Sequence, residues 1–466
     1  MFPIPAAAEP LVQAIRGAFT QPTYQRFIAL MSGLIVTMGR RTVSRALRLA
    51  FPLLEGHFSD WHRLYSQAHF SMWQLGLALA QQVVSLLPAD APIILVADDT
   101  VDEKQGDHVW CKGAHRDATR STRSSGKVAI RFGHKWLVMG VLVRLPGTSR
   151  PWVLPILSGL CASEKAASKA RPRYRHKTPS QLSLQLLIRL MRWFPKRKFI
   201  LLADARAASH ALAAFASAHR DRVTLISRMR ADANLYDPPK NPKQRSRGGT
   251  CAKKGRKQSA PRDRLGQLPR HLKEVNWYGS SRRRVAYVSD SGLWYGKHDP
   301  RHRVVPIRWV CVLGNKRQHR DDAYFYSTDP QMEASRIIEL YAMRWNIEVT
   351  FQEARACMGL ETTRHWCHQS VLRVVPILLG LFSAVGLMWQ RLCQSDPQVR
   401  SGAIQFSCTP CYHKQPGGIT FADALAAVRR ELWQTTLLGH RDLHQCLIHL
   451  PHPLQELIFQ QLCAAA

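Results

Sequence analysis

Residues 92–100 read PIILVADDT, an apolar run that stops at two adjacent carboxylates. Residues 198–205, KFILLADA, repeat this arrangement, with Asp204 placed after its run as Asp98 and Asp99 are after theirs. Short apolar runs that end at turn-forming residues predict strands buried on both faces of a sheet. In open α/β sheets, ligands gather at the carboxyl ends of such strands. The two segments therefore predict a buried sheet with Asp99 and Asp204 at its functional edge, although an Asp there is also a common turn residue.

The segments around these two strands predict a sheet of mixed strand order. Three further strands are predicted after the first, in VAIRFG, KWLVMGVLVRL and RPWVLPILSGL. The amphipathic pattern of PSQLSLQLLIRLMRWF, residues 179–194, predicts a helix before the second carboxylate strand. The helix SHALAAFASAH and the strand RVTLISRMR follow that strand. Strands and helices joined by such short links are typical of the α/β class.

The remaining sequence divides the chain into five predicted segments. Residues 1–90 carry apolar side chains at helical spacing. The sheet begins in residues 91–230, and residues 231–330 form a basic loop followed by short strands, which predicts a β-rich insertion. Helical spacing returns in residues 331–395, and residues 396–466 form a tail with one predicted helix.

The charge balance of the chain is strongly basic. Lys and Arg number 66 against 32 Asp and Glu among the 466 residues, a formal net charge of +34. A field of this size attracts polyanions, and counterion release favours nucleic acid as the partner. A ribosomal-type binder or a membrane-surface protein would share this charge. The loop segment CAKKGRK contributes four candidate DNA-binding residues, Lys253, Lys254, Arg256 and Lys257.

Three further features of the sequence indicate a cytoplasmic protein and argue against structural zinc. The first residues lack a basic start followed by an apolar run, so no secretory signal is predicted. The apolar stretch 374–389 is short for a membrane span, which favours a buried helix and a cytoplasmic protein. The 11 scattered cysteines predict reduced thiols, and the spacing of Cys408 and Cys411 disfavours structural zinc, as does that of the histidines in RHWCH, residues 364–368.

A third candidate carboxylate lies in ELYAMRWNIEVTFQEAR, residues 339–355. On one continuous helix, Tyr341, Arg344, Glu348 and Arg355 fall within an arc of roughly 60°. Pairs of Arg and Glu four residues apart are often only surface ion pairs. Metal-assisted phosphodiester chemistry, however, needs two or three carboxylates that converge on divalent ions. On the same helix Trp345 is predicted to turn away and pack in the core.

Together, VADDT, LLADA and the pattern Tyr341-x2-Arg344-x3-Glu348-x6-Arg355 resemble the DDE transposases of bacterial insertion sequences. The branch it resembles carries a Tyr-Arg-Glu-Lys signature and a β-strand insertion before the Glu. The resemblance covers roughly residues 90–395, with 105 residues from Asp99 to Asp204 and 144 from Asp204 to Glu348. Arg355 departs from the pattern because it stands where Lys is usual. The planar guanidinium of an Arg binds phosphate through two N–H groups, whereas the ammonium of a Lys acts as a point charge.

The resemblance implies a ribonuclease-H-like core and a catalytic, metal-binding triad of Asp99, Asp204 and Glu348. Asp98 leaves the choice of the first carboxylate open, since neighbours on a strand point to opposite faces. The implied cofactor is Mg²⁺, with Mn²⁺ as a substitute. Tyr341, Arg344 and Arg355 are expected to hold the DNA strand.

The implied reaction is cleavage at the ends of an insertion element, followed by attack of the freed 3′-hydroxyl on target DNA. The expected partners are the double-stranded terminal inverted repeats and the target, held by a homodimer on paired ends in the bacterial cytoplasm at the nucleoid. The helical pattern of residues 1–90 is compatible with the family's DNA-binding region. Two alternatives stay open: a host metal-dependent nuclease of the same fold, and a non-catalytic basic nucleic-acid-binding protein.

Overall fold

A computed structural model describes most of the chain and groups it into two units. The described residues are 4–50, 56–116, 129–240, 252–277, 282–296, 303–314, 321–396, 399, 418–438, 445 and 449–463. Cys408 and Cys411 lie outside them. The first unit is built from Met1–Leu87, Thr100–Lys177 and Val349–Ala466, and the second from Pro88–Asp99 and Thr178–Glu348.

The first unit is mainly helical. Its N-terminal helices confirm the predicted helical start of the chain; for example, the Ser71 hydroxyl caps the fifth helix by accepting from the Gln74 N–H at 3.3 Å. The helices are α1 (Glu9–Ile15), α2 (Gln21–Val36), α3 (Val43–Ala50), α4 (Phe58–Ser66), α5 (Met72–Val84), α6 (Glu164–Lys169), α11 (His368–Ser395), Phe421–Leu438 and His452–Cys463.

A small sheet in the first unit packs against α11. Its strands are β2 (Gly113–Arg116), β3 (Ile130–Val143) and β4 (Trp152–Leu160), paired antiparallel in the order β2-β3-β4, and β3 also neighbours the last part of β1 (Ile93–Glu103). The Ser383 hydroxyl of α11 donates to the Pro155 carbonyl of β4 at 2.6 Å. Among the described residues α11 alone is long and apolar enough to cross a membrane, and 72% of that window is buried within the protein, as in a core helix.

The second unit contains a mixed sheet that starts with three parallel strands. The first part of β1 pairs with β5 (Phe199–Ala203), which pairs with β6 (Val223–Arg228). Their side chains are buried: Leu95 and Leu201 are both 0% exposed. Burying each such side chain stabilises the fold by about 2 kcal/mol. The mixed sheet within an α/β chain confirms the predicted fold class.

The strands of the predicted insertion extend this same sheet. From β6 they follow in the antiparallel order β11-β10-β9, and both β7 and β8 pair with β9. Their bounds are β7 (Leu235–Tyr236), β8 (His271–Asn276), β9 (Arg282–Tyr295), β10 (Val304–Val312) and β11 (Ala323–Ser327). The helices of this unit are α7 (Pro179–Trp193), α8 (His210–Ala218) and α9 (Ala334–Met343), and α10 (Asn346–Met358) begins in it.

The single helix predicted across residues 339–355 is wrong, because α9 ends at Met343 and α10 starts at Asn346. The Asn346 side chain donates to the Met343 carbonyl at 2.9 Å. It thereby satisfies an acceptor left open at the end of α9, and short polar side chains compete with the helix in this way. The prediction that Trp345 packs in the core is also wrong, since it lies in the turn between the helices and is 46% exposed.

Candidate active site

The site is built first from the register of two parallel strands. Ala97 of β1 is the register partner of Ala203 of β5. The next residues are Asp98 and Asp204, so the two carboxylates lie one residue beyond this pair on neighbouring parallel strands; β5 ends there, whereas β1 continues to Glu103. The register of the two apolar runs therefore brings two acidic side chains, far apart in sequence, into one neighbourhood.

Asp98 is largely buried, with 15% of its side chain exposed, and carries an unusual charge environment. Its Oδ2 contacts Arg344 Nη1, and its Oδ1 accepts from the Asp99 N–H at 2.8 Å. Burial raises the pKa of Asp98 to about 7; Arg344 and the Asp99 N–H oppose that shift, while the charges of Asp99 and Asp204 add to it. Asp204 therefore lies close enough to Asp98 to disfavour a second negative charge.

Arg344 connects this carboxylate to the third one. Its Nη2 donates to Glu348 Oε1 at 2.9 Å, while Nη1 contacts Asp98. Burial alone would lower the pKa of Arg344, but Asp98, Tyr341 and Glu348 together raise it above its usual value. Its Nε is buried without a hydrogen-bond partner, so the guanidinium keeps one donor available for a further acceptor. One cation thus binds Asp98 and Glu348 together.

Tyr341 links the helix α9 to Asp204. Its hydroxyl donates to Asp204 Oδ1 at 3.4 Å, and its ring packs on Phe325 with centroids 4.4 Å apart. The Arg344 guanidinium carbon lies 5.5 Å from the Tyr341 ring centroid, within cation–π range. Tyr341 therefore positions both an acidic and a basic residue of the site.

The structure brings together four of the residues predicted from sequence: Asp204, Tyr341, Arg344 and Glu348. Asp99 lies beside them in the chain, but the carboxylate that shares Arg344 with Glu348 is that of Asp98. The pattern of neighbouring strand residues on opposite faces left this choice open.

Arg355 lies in the last turn of α10 and belongs to the first unit. There its Nε donates to Glu361 Oε1 at 2.7 Å, and its Nη2 contacts the Thr100 hydroxyl and the Val101 carbonyl. Its guanidinium is therefore held by an acidic partner and by β1, whereas sequence reasoning had assigned it only to phosphate.

The four basic loop residues have two different environments. Lys254 Nζ lies 3.9 Å and 3.5 Å from the ring centroids of Tyr236 and Tyr295, so its charge is held on two aromatic faces. Lys253, Arg256 and Lys257 are exposed. These three therefore offer accessible positive charge, while Lys254 anchors the segment.

Comparison with known proteins identifies the family. The family model described as DDE superfamily endonuclease matches residues 15–284, more than half of the chain. The chain belongs to the DDE superfamily endonucleases. No curated protein matches this DDE endonuclease. Among solved structures it is similar to a piggyBac transposase synaptic complex with hairpin DNA, at 10% identity and a TM-score of 0.39, over 98% of this chain and 74% of that one.

Membership of the DDE endonucleases implies the use of divalent metal, and the donor set of this chain fits such ions. Asp98, Asp204 and Glu348 offer hard carboxylate oxygens, which Mg²⁺ prefers. Burial raises the pKa of Asp98 although Arg344 lies beside it, so a further positive charge would favour its ionised form. A divalent ion would supply that positive charge.

Proposed function

We propose that this DDE endonuclease is a transposase that cuts the ends of a mobile DNA element and joins the freed 3′-hydroxyl to target DNA. The observation that carries the proposal is the pairing of Ala97 with Ala203, together with the Arg344 bridge between Asp98 and Glu348. These relationships support a triad of Asp98, Asp204 and Glu348. They favour Asp98 over Asp99 as the first carboxylate, in a choice that the sequence left open.

The triad would hold the two Mg²⁺ ions, which supply an activated attacking oxygen and stabilise the leaving oxygen of the phosphodiester. The chain's own residues orient the reactants. Tyr341 holds Asp204 through its hydroxyl, and Arg344 holds Asp98 and Glu348 through its two terminal nitrogens. From the sequence resemblance, Tyr341 and Arg344 are also proposed to contact the DNA strand. We propose that Arg355 releases Glu361 when DNA binds and contacts a DNA phosphate instead.

DNA is the proposed partner because the net charge of +34 favours binding to a polyanion. Lys253, Arg256 and Lys257 are accessible for this contact, and Lys254 supports them. From the sequence resemblance, the substrates are the terminal inverted repeats and target DNA of a bacterial insertion element. The same resemblance supports a homodimer on paired ends, acting in the cytoplasm at the nucleoid.

The test uses the full chain and a supercoiled plasmid that carries the DNA flanking its coding region on both sides. In Mg²⁺ the protein is expected to cut this plasmid, and Asp204→Asn to lower the cleavage rate by a factor of about 10³ or more while DNA binding persists. Asp232→Asn is the matched control, since Asp232 is 44% exposed and pairs with Arg230 outside the site. Unchanged cleavage by Asp204→Asn would overturn the metal-nuclease assignment.

Strand joining separates the transposase from a host nuclease of the same fold. A pre-cut element end with a free 3′-hydroxyl is incubated with a second, labelled plasmid and Mg²⁺. A transposase forms a covalent product between the two DNA molecules, whereas a nuclease yields only shortened fragments. A protein that binds both DNA molecules and changes neither would be a non-catalytic binder.

A further inference from the structure

A second group of ionisable side chains lies in the first unit, outside the site described above. Asp102 of β1, His134 of β3 and His365, which precedes α11, each place one possible metal-ligand atom within 4.8 Å of the other two. All three are buried, at 0%, 0% and 7% exposure. Sequence reasoning disfavoured zinc at His365 because its neighbours in the chain lack ligand spacing, and the other members of this group are far away in sequence.

Hydrogen bonds orient both imidazoles and leave one nitrogen free on each ring. His134 Nε2 bonds to the Trp110 carbonyl at 2.8 Å, and His365 Nδ1 bonds to the Thr363 hydroxyl at 3.0 Å. The opposite nitrogens, His134 Nδ1 and His365 Nε2, are buried without hydrogen-bond partners. Metal-ligating histidines are held in this way, with one nitrogen fixed by an outer partner and the other turned to the ion.

The carboxylate completes the set. Asp102 Oδ2 lies 3.8 Å from His365 Nε2 and has no hydrogen-bond partner, while Oδ1 lies 3.0 Å from the ammonium of Lys104. Three buried polar atoms without partners at one place would cost about 1–3 kcal/mol each. Such a group calls for an ion or a water that contacts all three atoms.

We propose that Asp102, His134 and His365 bind one divalent transition-metal ion of the zinc type. Two imidazoles and one carboxylate suit Zn²⁺, whereas Mg²⁺ selects oxygen ligands, so this site and the Asp98 triad prefer different metals. Ligand atoms around a tetrahedral zinc are about 3.3 Å apart. The 3.8 Å between Asp102 Oδ2 and His365 Nε2 therefore has to shorten by only a fraction of an ångström when the ion binds. The three residues leave the fourth position of a tetrahedral ion to a water, and the ion ties β1, β3 and the segment before α11 together.

The protonation of the histidines supports this assignment. Burial lowers the pKa of His134 to about 4, and burial with the charges of Lys104 and His134 lowers the pKa of His365 well below its usual value. Both rings are therefore neutral at pH 7 and can ligate a metal. The neighbouring Lys104 opposes metal binding, because its positive charge repels a divalent cation.

Co²⁺ is the probe for this site, since its visible absorption reports coordination geometry and any thiolate ligand. The full chain is used with Asp204→Asn, Cys408→Ser and Cys411→Ser, which remove the proposed catalytic ions and the CxxC pair as binders. We expect one Co²⁺ per chain, four-coordinate bands and no thiolate charge-transfer band. His365→Gln should weaken binding by about 100-fold, as loss of a ligand does, and His176→Gln should leave it unchanged.

Lys104→Met gives an independent readout that does not remove a ligand. Without the ammonium, Co²⁺ should bind about tenfold tighter, because the repulsion between the lysine and the dication is gone. If Asp102 and Lys104 form only a buried ion pair with a trapped water, Lys104→Met instead destabilises the protein and Co²⁺ does not restore it. Absence of Co²⁺ binding at about 100 µM free ion, or binding retained by a folded His365→Gln variant, would overturn the proposal.

Discussion

Ala97 and Ala203 are register partners on neighbouring parallel strands, and the residue that follows each of them is an aspartate. This one pairing fixes which carboxylates of the chain are close together. Arg344 adds Glu348 to them through its two terminal nitrogens. The backbone of the sheet therefore sets the positions of two acids, and a single buried cation sets that of the third.

The pair Asp98 and Asp99 provides the first prediction. Asp98→Asn should lower the DNA cleavage rate by a factor of about 10³ or more, because it removes the carboxylate that shares Arg344 with Glu348. Asp99→Asn is the matched control and should retain the rate within about tenfold. The measurement is cleavage of the flanking-DNA plasmid in Mg²⁺. If Asp99→Asn instead loses cleavage and Asp98→Asn retains it, Asp99 is the first carboxylate of the triad.

Arg344 provides the second prediction, through the geometry of its guanidinium. Arg344→Gln leaves two carboxylates without their shared cation and should lower the free energy of unfolding by about 2 kcal/mol. Arg344→Lys keeps the charge but cannot contact both acids as a planar fork, so it should recover only part of that loss. Urea unfolding in EDTA measures both. Equal stability of the glutamine variant and the native protein would show that the bridge contributes nothing.

The raised pKa of Asp98 predicts how stability depends on pH in the absence of metal. A carboxyl group titrates near 3.9 in an unfolded chain, whereas burial raises the pKa of Asp98 to about 7. Between these values the folded state binds more protons, so the contribution of Asp98 is complete below pH 4 and is lost as pH rises through 7. Unfolding in EDTA should therefore become easier over this window by about 4 kcal/mol from this group.

Asp98→Asn is the control for that pH dependence, because an amide does not titrate. Its stability should change less between pH 5 and pH 7.5 than that of the native protein, with both measured by urea unfolding in EDTA. If the two proteins keep parallel curves, Asp98 is ionised in the folded state over the whole range and the shift is absent.

The parts of the fold that follow from local pattern were predicted from sequence. The runs PIILVA and KFILLA are apolar throughout, so their burial could be read directly, and β5 ends where its run stops. The prediction that the first strand also stops at the carboxylates is wrong, because β1 continues through them to Glu103. Helices α5 and α7 likewise follow from the helical spacing of their apolar residues. In each case the information lies within a few residues of the element that it specifies.

What the sequence did not reveal depends on contacts between distant segments or on small differences in turn energy. The break between α9 and α10 rests on one side chain, Asn346, in a segment whose apolar spacing continues through it. The choice between Asp98 and Asp99 depends on which face of β1 meets α9 and Arg344. His134 and His365 are separated by more than two hundred residues, and neither stands in a ligand motif.

The core of the parallel strands provides a test of stability. Leu201→Ala should lower the free energy of unfolding by about 2–5 kcal/mol, since Leu201 is 0% exposed and its removal leaves a cavity between strands. Leu272→Ala is the control on β8, where the side chain is 57% exposed. Urea unfolding of the two variants measures the difference. Equal losses would mean that β5 is not at the centre of the core.

Adjacent lysines of the basic loop should behave differently when DNA is added. Lys253 is exposed, so Lys253→Gln should reduce the slope of log K against log salt by about one for a duplex of arbitrary sequence, with unchanged stability. Lys254 lies over Tyr236 and Tyr295, so Lys254→Gln should cost about 1 kcal/mol of stability through lost cation–π contact. Fluorescence anisotropy across a salt series and urea unfolding separate the two effects. If Lys253→Gln leaves the salt slope unchanged, this exposed charge is not part of the DNA contact, and the polyanion meets another basic surface of the chain.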